Sequence, residues 1–134
     1  FHIKANRISF EITETSAISH YDSAIKLINE LTSIGCQFSL DDFGSGVSSF
    51  SYLQQLPVST IKIDGAFVHD IDTNAINRIF LENILRTASA MNKLTVAEYV
   101  ENANIERILI EIGIHYGQGY FINKPSKWHD AEDW

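Results

Sequence analysis

The 134-residue sequence has a single cysteine, two prolines and few positive charges. Cys36 cannot form an internal disulfide, which fits a reducing compartment and a small buried side chain at this position. Lysine and arginine number 10 against 17 aspartates and glutamates, and the formal net charge is −7. Because such a chain repels nucleic-acid backbones, we expect no DNA or RNA polymer as a partner. A small phosphate ligand is compatible with this charge if metal ions neutralise the site.

Long apolar runs are also missing. No stretch approaches the ~20 consecutive apolar residues of a membrane span, and the first residues lack the basic region and apolar run of a signal peptide. We therefore expect a cytoplasmic domain, which includes the option of the cytoplasmic part of a membrane-anchored sensor. The five histidines are scattered, and no pair at i, i+4 predicts a zinc-binding helix.

Apolar, β-rich runs alternate with helical patterns along the chain. Strands are predicted at 8–12, 36–41, 59–64, 94–98 and 115–119, helices at 22–34, 74–91 and 103–112, a Gly/Ser-rich turn at 44–49, and a short helix before Pro57. We expect Asp22 to cap the first of these helices, and we expect the apolar side of helix 74–91 to consist of Ile76, Ile79, Phe80, Ile84 and Leu85. The order of strands and helices predicts parallel strands joined by right-handed crossovers. No linker interrupts it, so we expect residues 1–134 to be part of a single domain.

The first three predicted strands have one apolar and one polar face. Ile61 and Ile63 alternate with Lys62 in strand 59–64, and strands 8–12 and 36–41 show the same alternation. An open doubly wound sheet would be apolar on both faces, so the pattern favours a (β/α) barrel with a polar interior near its mouth. Since a whole barrel needs roughly 250 residues and eight strands, we expect this chain to supply about half of one.

Acidic or polar side chains end every predicted strand. They are Glu11, Glu14, Asp41, Asp42, Lys62, Asp64, Glu98 and Gln118. In a barrel, the carboxyl ends of the strands converge on one mouth, where barrel enzymes keep their active sites. Each residue alone is explained equally well as a solvated loop residue or a helix cap. Five successive strand ends of this kind favour a site.

Such a cluster of carboxylates needs cations. Two carboxylates ~4 Å apart repel by roughly 4 kcal/mol at an effective dielectric constant of ~20. Carboxylate and amide oxygens suit Mg²⁺ or Mn²⁺ rather than Zn²⁺. Two such ions would activate a water molecule and clamp a phosphodiester for in-line attack, and Lys62 could hold that water or offset phosphate charge.

Five motifs in order carry a specific resemblance. They are Glu11-Ile-Thr-Glu14, Asp41-Asp-Phe-Gly-Ser-Gly46, Ile61-Lys-Ile-Asp64, Val96-Ala-Glu-Tyr-Val-Glu101 and Tyr116-Gly-Gln-Gly-Tyr120, with Pro125 after the last. Their order and spacing resemble those of the EAL (Glu-Ala-Leu) phosphodiesterase domains. The resemblance implies an α/β fold, a TIM-like barrel of which this chain is about the C-terminal half. It also implies hydrolysis of cyclic di-GMP to linear pGpG with two Mg²⁺ or Mn²⁺ ions in bacterial second-messenger signalling.

The resemblance also implies roles for individual residues. Glu11 and Asp41 are similar to metal ligands of the family, and Asp42 is similar to a ligand of the second metal. Lys62 resembles the lysine that contacts the attacking water. Glu98 resembles the carboxylate that acts as general base or holds the metal–water centre.

The remaining matches lie around this centre. Gln118 resembles an inner-shell glutamine that also contacts substrate, and Glu14 resembles the glutamate that pins the loop after Asp42. Asp64 and Glu101 are expected to contact substrate.

The sequence departs from the family pattern at several points. Tyr99 stands where glycine is frequent, and by alternation we expect its side chain to point away from the barrel interior and to be tolerated. Val47 replaces a frequent tyrosine. The Glu-Ala-Leu motif and an asparagine ligand are absent and are expected upstream of Phe1. On its own, the chain is therefore expected to be inactive, to pair as a homodimer through its open barrel, and to be fused to an upstream sensory or GGDEF-type domain in the full protein.

Two other functions stay open. One is a catalytically inactive EAL module that binds cyclic di-GMP or a partner protein. The other is a magnesium-dependent barrel of another kind, such as an enolase-like enzyme, although that reading does not explain the Asp-Asp-Phe-Gly-Ser-Gly and Gln-Gly-Tyr contexts. The phosphodiesterase is favoured over the inactive module because a receptor need not keep metal ligands, and this chain has the matching residues Glu11, Asp41, Asp42, Lys62, Glu98 and Gln118.

Overall fold

The computed structural model describes residues 2–45 and 50–126. The strands are β1 Ser9–Thr13, β2 Gln37–Phe43, β3 Thr60–Ile63, β4 Leu94–Ala97 and β5 Tyr116–Gly117. The helices are α1 Glu14–Ser19, α2 Tyr21–Ser33, α3 Phe50–Gln55, α4 Ala75–Ala90 and α5 Ala103–Ile112, with short 3-10 turns at Ala5–Arg7 and Gly65–Phe67. Every predicted strand and helix is confirmed, with ends that differ by one or two residues. Positions 46–49 of the predicted turn, which include Val47, lie outside the described residues.

Helix α1 was not predicted from the sequence. It follows β1 directly, and the Thr13 hydroxyl caps it by accepting a hydrogen bond from the Ser16 N–H at 3.2 Å. The helix has only six residues, which is too short to show a hydrophobic period. The threonine cap was the one local signal for it.

The five strands form one parallel sheet in the order β1-β2-β3-β4-β5. A doubly wound sheet reverses its strand order at a switch point, whereas the wall of a (β/α) barrel keeps sequence order. The observed order confirms the barrel type of sheet. It also brings the carboxyl ends of all five strands to one edge.

The hydrophobic core lies between the sheet and the helices. Buried strand residues include Leu40, Ile61, Ile63 and Ala97, and they meet the buried helix residues Ile28, Leu81, Ile84, Ile105 and Leu109. Each large aliphatic side chain removed from water contributes ~1.5–3 kcal/mol to folding. The polar side chains of the strands lie on the opposite face of the sheet, where they are available to bind a ligand.

Helix α5 forms as its sequence predicts. The Asn102 side chain caps it by accepting from the Ile105 N–H at 3.0 Å, and it ends at Gly113, whose φ is +90°. Only a residue without a Cβ adopts this left-handed conformation without strain.

Two details of helices α2 and α4 were predicted wrongly. We expected Asp22 to cap α2, but the N-cap is His20, and Asp22 lies in the first turn, where its charge still favours the helix dipole. In α4 we expected Ile76 and Ile79 on the buried side, yet they are 78% and 59% exposed. The helix begins after Asn74, whose side chain caps it, and the face it presents to the sheet starts only at Leu81.

No helix among the described residues combines the length and apolar character that crossing a membrane requires.

Candidate active site

Lys62 lies at the centre of the predicted cluster. It sits on β3 and is only 6% exposed. Its Nζ is 3.0 Å from Glu11 Oε1 on β1, 3.0 Å from Glu98 Oε1 just after β4, and 3.5 Å from Asp41 Oδ1 on β2. The prediction that these four residues converge at one end of a parallel sheet is confirmed.

Strand alternation explains why most of these side chains share a face. In the β1–β2 pairing Glu11 lies opposite Ser39 and Thr13 opposite Asp41, and in the β3–β4 pairing Lys62 lies opposite Val96. Paired residues of neighbouring strands point to the same side of a sheet. The polar face predicted from the sequence is therefore the face that carries the cluster.

Asp42 needs a different explanation, because alternation would turn it away from Asp41. The β2–β3 register shifts between Leu40 and Phe43, and Asp42 has a φ of +54°. This irregularity re-aims the Asp42 side chain, as bulges next to active sites often do. Carboxylate oxygens of Asp41, Asp42 and Glu98 consequently lie within 4.8 Å of one another.

Negative charge exceeds positive charge in this cluster. Burial raises the pKa of Asp42, and repulsion by Asp41 and Asp64 raises it further. Burial also raises the pKa of Glu98, although the hydrogen bond from Lys62 opposes the shift. Both carboxyl groups therefore hold protons more readily than an ordinary carboxyl does.

Lys62 keeps its charge in spite of its burial. Burial alone would lower the pKa of this ammonium group, but hydrogen bonds to Glu11 and Glu98 outweigh that effect and raise the pKa well above its ordinary value. The site therefore has a permanent cation among its carboxylates.

The donors of the cluster fit a hard divalent cation. Asp41 Oδ1 is buried and, among the described residues, has no hydrogen-bond partner; its 3.5 Å approach to Lys62 Nζ is an ion pair without hydrogen-bond geometry. Buried polar atoms in proteins are normally paired, and a site for a bound ion is one of the usual reasons for an exception. The neighbouring donors are carboxylate oxygens, which are the ligands that Mg²⁺ and Mn²⁺ prefer.

Glu14 does not contact Lys62; it supports the loop that follows β2. It is fully buried at the start of α1, where Oε2 accepts from the Gly44 N–H at 3.0 Å and Oε1 accepts from the Tyr52 hydroxyl. Both oxygens are therefore engaged in holding the chain that follows β2. This geometry fits a pinning residue and not a group that touches the reacting atoms.

Two adjoining cavities open beside the cluster. One, of about 690 Å³, is lined by residues that include Asp42, Asp64, Gly65, His69, Glu98, Tyr99 and Glu101. The other, of about 310 Å³, is lined by Glu98, Tyr99, Glu101, Gln118, Gly119 and Tyr120. The structure thus brings Asp64, Glu101 and Gln118 to the mouth, as the sequence predicted. A larger cavity of about 830 Å³ lies away from the cluster, between α4 and α5.

Asp64 and Gln118 also have structural contacts at the mouth. The Asp64 carboxylate accepts from the Ala66 N–H at 2.8 Å and so caps the Gly65–Phe67 turn. The Gln118 backbone N–H donates to the Ala97 carbonyl at 2.8 Å, and the Gln118 carbonyl accepts from the Val100 N–H at 3.0 Å. These bonds hold both residues in place whatever else they bind.

Tyr99 was placed wrongly by the sequence argument. Strand β4 ends at Ala97, so alternation no longer applies at position 99, and the φ of Tyr99 is +58°. The side chain lines both cavities. A Cβ added to Gly65 would lie 2.2 Å from Tyr99 Cδ2, so the ring occupies the space that only glycine leaves at position 65. Tyr120, which belongs to the last of the five motifs, also lines the mouth, and His69 lines it without any local signal in the sequence.

The comparison that decides the family is a sequence match. A sequence model of the EAL domain matches residues 1–125. The chain belongs to the EAL domain family. Among curated relatives of this EAL chain, the cyclic di-GMP phosphodiesterase PdeB of Shewanella oneidensis is 43% identical over 125 residues, which are 93% of this chain and 15% of PdeB. The cyclic di-GMP phosphodiesterase PdeF of Escherichia coli is 37% identical over 131 residues, which are 98% of this chain and 18% of PdeF. The EAL chain thus spans about one sixth of the length of these relatives.

Solved structures agree with this assignment. The PaMucR phosphodiesterase in complex with c-di-GMP has a TM-score of 0.90 at 28% identity over 96% of this chain and 52% of its own. The FimX EAL domain from Pseudomonas aeruginosa bound to c-di-GMP has a TM-score of 0.83 at 33% identity over 88% of this chain and 48% of its own. The EAL chain therefore has the fold of about half of each of these solved chains, as expected for part of a TIM-like barrel.

Proposed function

We propose that this EAL chain forms part of a metal-dependent phosphodiesterase that hydrolyses cyclic di-GMP to linear pGpG in bacterial second-messenger signalling. The observation that carries the proposal is the buried ammonium of Lys62, held among the carboxylates of Glu11, Asp41 and Glu98 at the carboxyl ends of four strands. Relatives that share most of this chain are named cyclic di-GMP phosphodiesterases.

Glu11, Asp41 and Asp42 are the residues we assign to two Mg²⁺ or Mn²⁺ ions. Their oxygens suit these ions, and the unpartnered Asp41 Oδ1 supports a cation beside it. When bound, divalent ions would place positive charge against the phosphodiester and the attacking water.

Three further residues would act on water and phosphate. The Lys62 ammonium would orient the attacking water through its N–H donors and offset phosphate charge. Glu98, whose pKa is raised by burial, is suited to accept a proton from that water or to hold it by a hydrogen bond. Gln118 would donate its amide N–H to the same region.

The surrounding residues would position the substrate. Asp64 and Glu101 line the cavities where a nucleotide would lie, so their carboxylates would accept hydrogen bonds from it. Glu14 would act indirectly, since its two hydrogen bonds hold the loop that follows Asp42.

For the intact protein, we infer that residues 1–134 are the C-terminal part of a single EAL domain, because solved neighbours align with this chain over about half of their length. The length of the curated relatives supports fusion to an upstream sensory or GGDEF-type domain. We also propose that the intact protein forms a homodimer and that its EAL domain lies in the cytoplasm.

A catalytically inactive module that binds cyclic di-GMP or a partner protein is the second candidate. The FimX EAL domain, which was solved bound to c-di-GMP and is 33% identical to this chain, supports the binding of this ligand and says nothing of its hydrolysis. The ligand would occupy the same mouth in both cases, but only the enzyme would turn it over.

A hydrolysis assay on the intact protein separates the candidates. With Mg²⁺ or Mn²⁺, we expect pGpG to form, and Asp41→Asn to lower kcat by more than about 100-fold, because it removes a ligand charge. Asp22→Asn, the same change on an exposed position of α2, is the matched control and should leave the rate unchanged. Binding of cyclic di-GMP without turnover by the wild type would select the inactive module, and full turnover by Asp41→Asn would remove Asp41 from the mechanism.

A further inference from the structure

We propose that Asp70 is a positioning residue that ties the β3–α4 loop, residues 64–74, to the first turn of helix α4 and so keeps Asp64 in place at the mouth of the site. This inference rests on the proposed function, in which Asp64 contacts the substrate. Asp70 lines neither cavity of the mouth, so it would act through the loop and would not touch the substrate itself.

The β3–α4 loop forms one wall of the mouth. It joins strand β3 to helix α4. Four of its residues line the cavity of about 690 Å³ beside the acidic cluster, namely Asp64, Gly65, Ala66 and His69. The position of this loop therefore sets where one side of the substrate would lie.

The sheet and the hydrophobic core hold the inner side of the loop. The Asp64 N–H donates to the Phe43 carbonyl of β2 at 3.2 Å. Val68 is fully buried and Ile71 is 2% exposed, so both side chains anchor the loop in the core. None of these contacts fixes the outer, polar side of the loop, where the half-buried Asp70 lies.

Both carboxylate oxygens of Asp70 accept hydrogen bonds from side chains at the start of α4. Oδ1 accepts from Asn77 Nδ2 at 2.7 Å, and Oδ2 accepts from Asn74 Nδ2 at 2.9 Å. These two hydrogen bonds lower the pKa of Asp70 below its ordinary value, so the carboxylate is charged at neutral pH. Hydrogen bonds to a charged acceptor are roughly twice as strong as neutral ones, so Asp70 holds both amides in a fixed geometry.

The same two amides connect Asp70 to the helix and back to the mouth. Asn74 Oδ1 caps α4 by accepting from the Ile76 and Asn77 N–H groups, each at 3.1 Å. Asn77 Nδ2, which carries two hydrogens, also donates to the Ala66 carbonyl at 3.4 Å, and Ala66 lies in the wall of the cavity. Loss of the Asp70 carboxylate would therefore release the helix start and the loop from each other. A displacement of about 1 Å in a group that positions a substrate can cost roughly 100-fold in rate.

The test uses the intact protein and measures KM and kcat with Mn²⁺, and the Kd for cyclic di-GMP by calorimetry in EDTA. All measurements are made at a temperature at which circular dichroism shows every variant to be folded. We expect Asp70→Ala to raise KM and Kd by about tenfold, while kcat changes by less than about threefold because the groups assigned to water and metal lie on other segments. A lower melting temperature with wild-type KM and Kd would mean that Asp70 only stabilises the fold, and it would overturn the proposal.

A reversed pair tests the hydrogen bond itself. In Asp70→Asn the new amide keeps an acceptor for only one of the two asparagines, so KM and Kd should rise. Adding Asn77→Asp restores the pair in reverse, because the new carboxylate accepts from the new amide, whose oxygen still accepts from Asn74. The double variant gives up only the 3.4 Å contact with Ala66, the longest of these contacts, and should recover most of the lost affinity.

The double variant also keeps the test available if Asp70→Ala does not fold. Wild-type KM and Kd for Asp70→Asn, or a double variant as weak as Asp70→Asn alone, would show that the bond between Asp70 and Asn77 does not position the loop.

Asp72→Ala is the matched control. Asp72 lies in the same loop, is exposed and lines neither cavity of the mouth, and its replacement removes the same charge. Its KM and Kd should equal those of the wild type; a rise as large as that of Asp70→Ala would show that charge and not the hydrogen bonds is responsible. If the wild type neither binds nor hydrolyses cyclic di-GMP, the proposed function fails and this inference fails with it. If the wild type does either and Asp70→Ala matches it, the inference alone fails.

Discussion

Replacing Lys62 by methionine tests whether the cluster depends on its single buried ammonium. The variant keeps most of the side-chain volume but leaves Glu11, Asp41 and Glu98 facing one another without a cation. Since these carboxylates lie 3.0, 3.5 and 3.0 Å from the ammonium in the folded protein, they repel once it is gone. We expect a large loss of stability in the absence of metal.

The three ion pairs do not contribute equally. A pair of unit charges ~4 Å apart gives roughly 4 kcal/mol at an effective dielectric constant of ~20. The Glu11 side chain is 52% exposed, so solvent screens its pair with Lys62 to about 0–1 kcal/mol. Asp41 and Glu98 are 21% and 13% exposed, so they dominate. Removing one partner of such shielded pairs costs about 3–5 kcal/mol, which is the loss we expect for Lys62→Met.

The difference in unfolding free energy between the wild type and Lys62→Met should depend on pH. The pKa of Lys62 is raised on folding, so its contribution to stability is complete below the ordinary lysine value of 10.5 and is lost only as the pH rises through the raised value. At neutral pH the difference between wild type and variant is therefore at its full size. It should shrink as the pH falls and the carboxylates become protonated, because the ion pairs disappear from the wild type and the repulsion disappears from the variant.

Urea unfolding of the intact protein in EDTA, followed by circular dichroism at neutral and acidic pH, measures this difference. Added Mg²⁺ should narrow the gap, since a divalent cation replaces the lost charge. Lys26→Met on the exposed side of α2 is the control and should shift stability by less than about 0.5 kcal/mol. A loss below about 1 kcal/mol for Lys62→Met at neutral pH, or a loss that does not depend on pH, would refute the electrostatic reasoning.

Three further outcomes follow from the same structure. Burial raises the pKa of both Asp42 and Glu98, so protons compete with metal for these carboxylates at a higher pH than for ordinary ones. As the solution is acidified, the Mn²⁺ affinity measured by calorimetry should therefore begin to fall at a higher pH than ordinary carboxylates predict. A fall that begins only in the ordinary carboxyl range would contradict this. Glu14→Gln keeps one acceptor oxygen and replaces the other by an N–H₂ donor, so only one of the Gly44 N–H and the Tyr52 hydroxyl keeps its acceptor. The free energy of unfolding should fall by about 1–3 kcal/mol and KM should rise as the loop loosens; unchanged stability would show that the lost hydrogen bond is dispensable. Gly65→Ala should lower the free energy of unfolding by about 1–3 kcal/mol because its Cβ overlaps the ring of Tyr99. In a protein that also carries Tyr99→Gly, the same change should cost much less. An equal loss of stability with and without Tyr99→Gly would show that the clash lies elsewhere.

The sequence by itself determined the type of fold and most of the site. Alternation of apolar and polar residues in short strands, with helical periods between them, is local information, and it predicted the parallel sheet and its polar face. Glu11, Asp41 and Lys62 share a face because each alternates with apolar residues of its own strand that face the core. The five ordered motifs indicated the family.

Tertiary structure decided what lies outside regular strands. Asp42 joins Asp41 because the register of β2 against β3 shifts and its φ becomes positive, which depends on the neighbouring strand and not on residue type. Tyr99 reaches the mouth because β4 ends two residues earlier, so the period of two no longer applies to it. Its ring contacts Gly65, a residue 34 positions away in the chain, and no local pattern encodes a contact between residues so far apart. The same reason explains Ile76 and Ile79, whose exposure was set by where the sheet lies under α4 and not by their hydrophobicity.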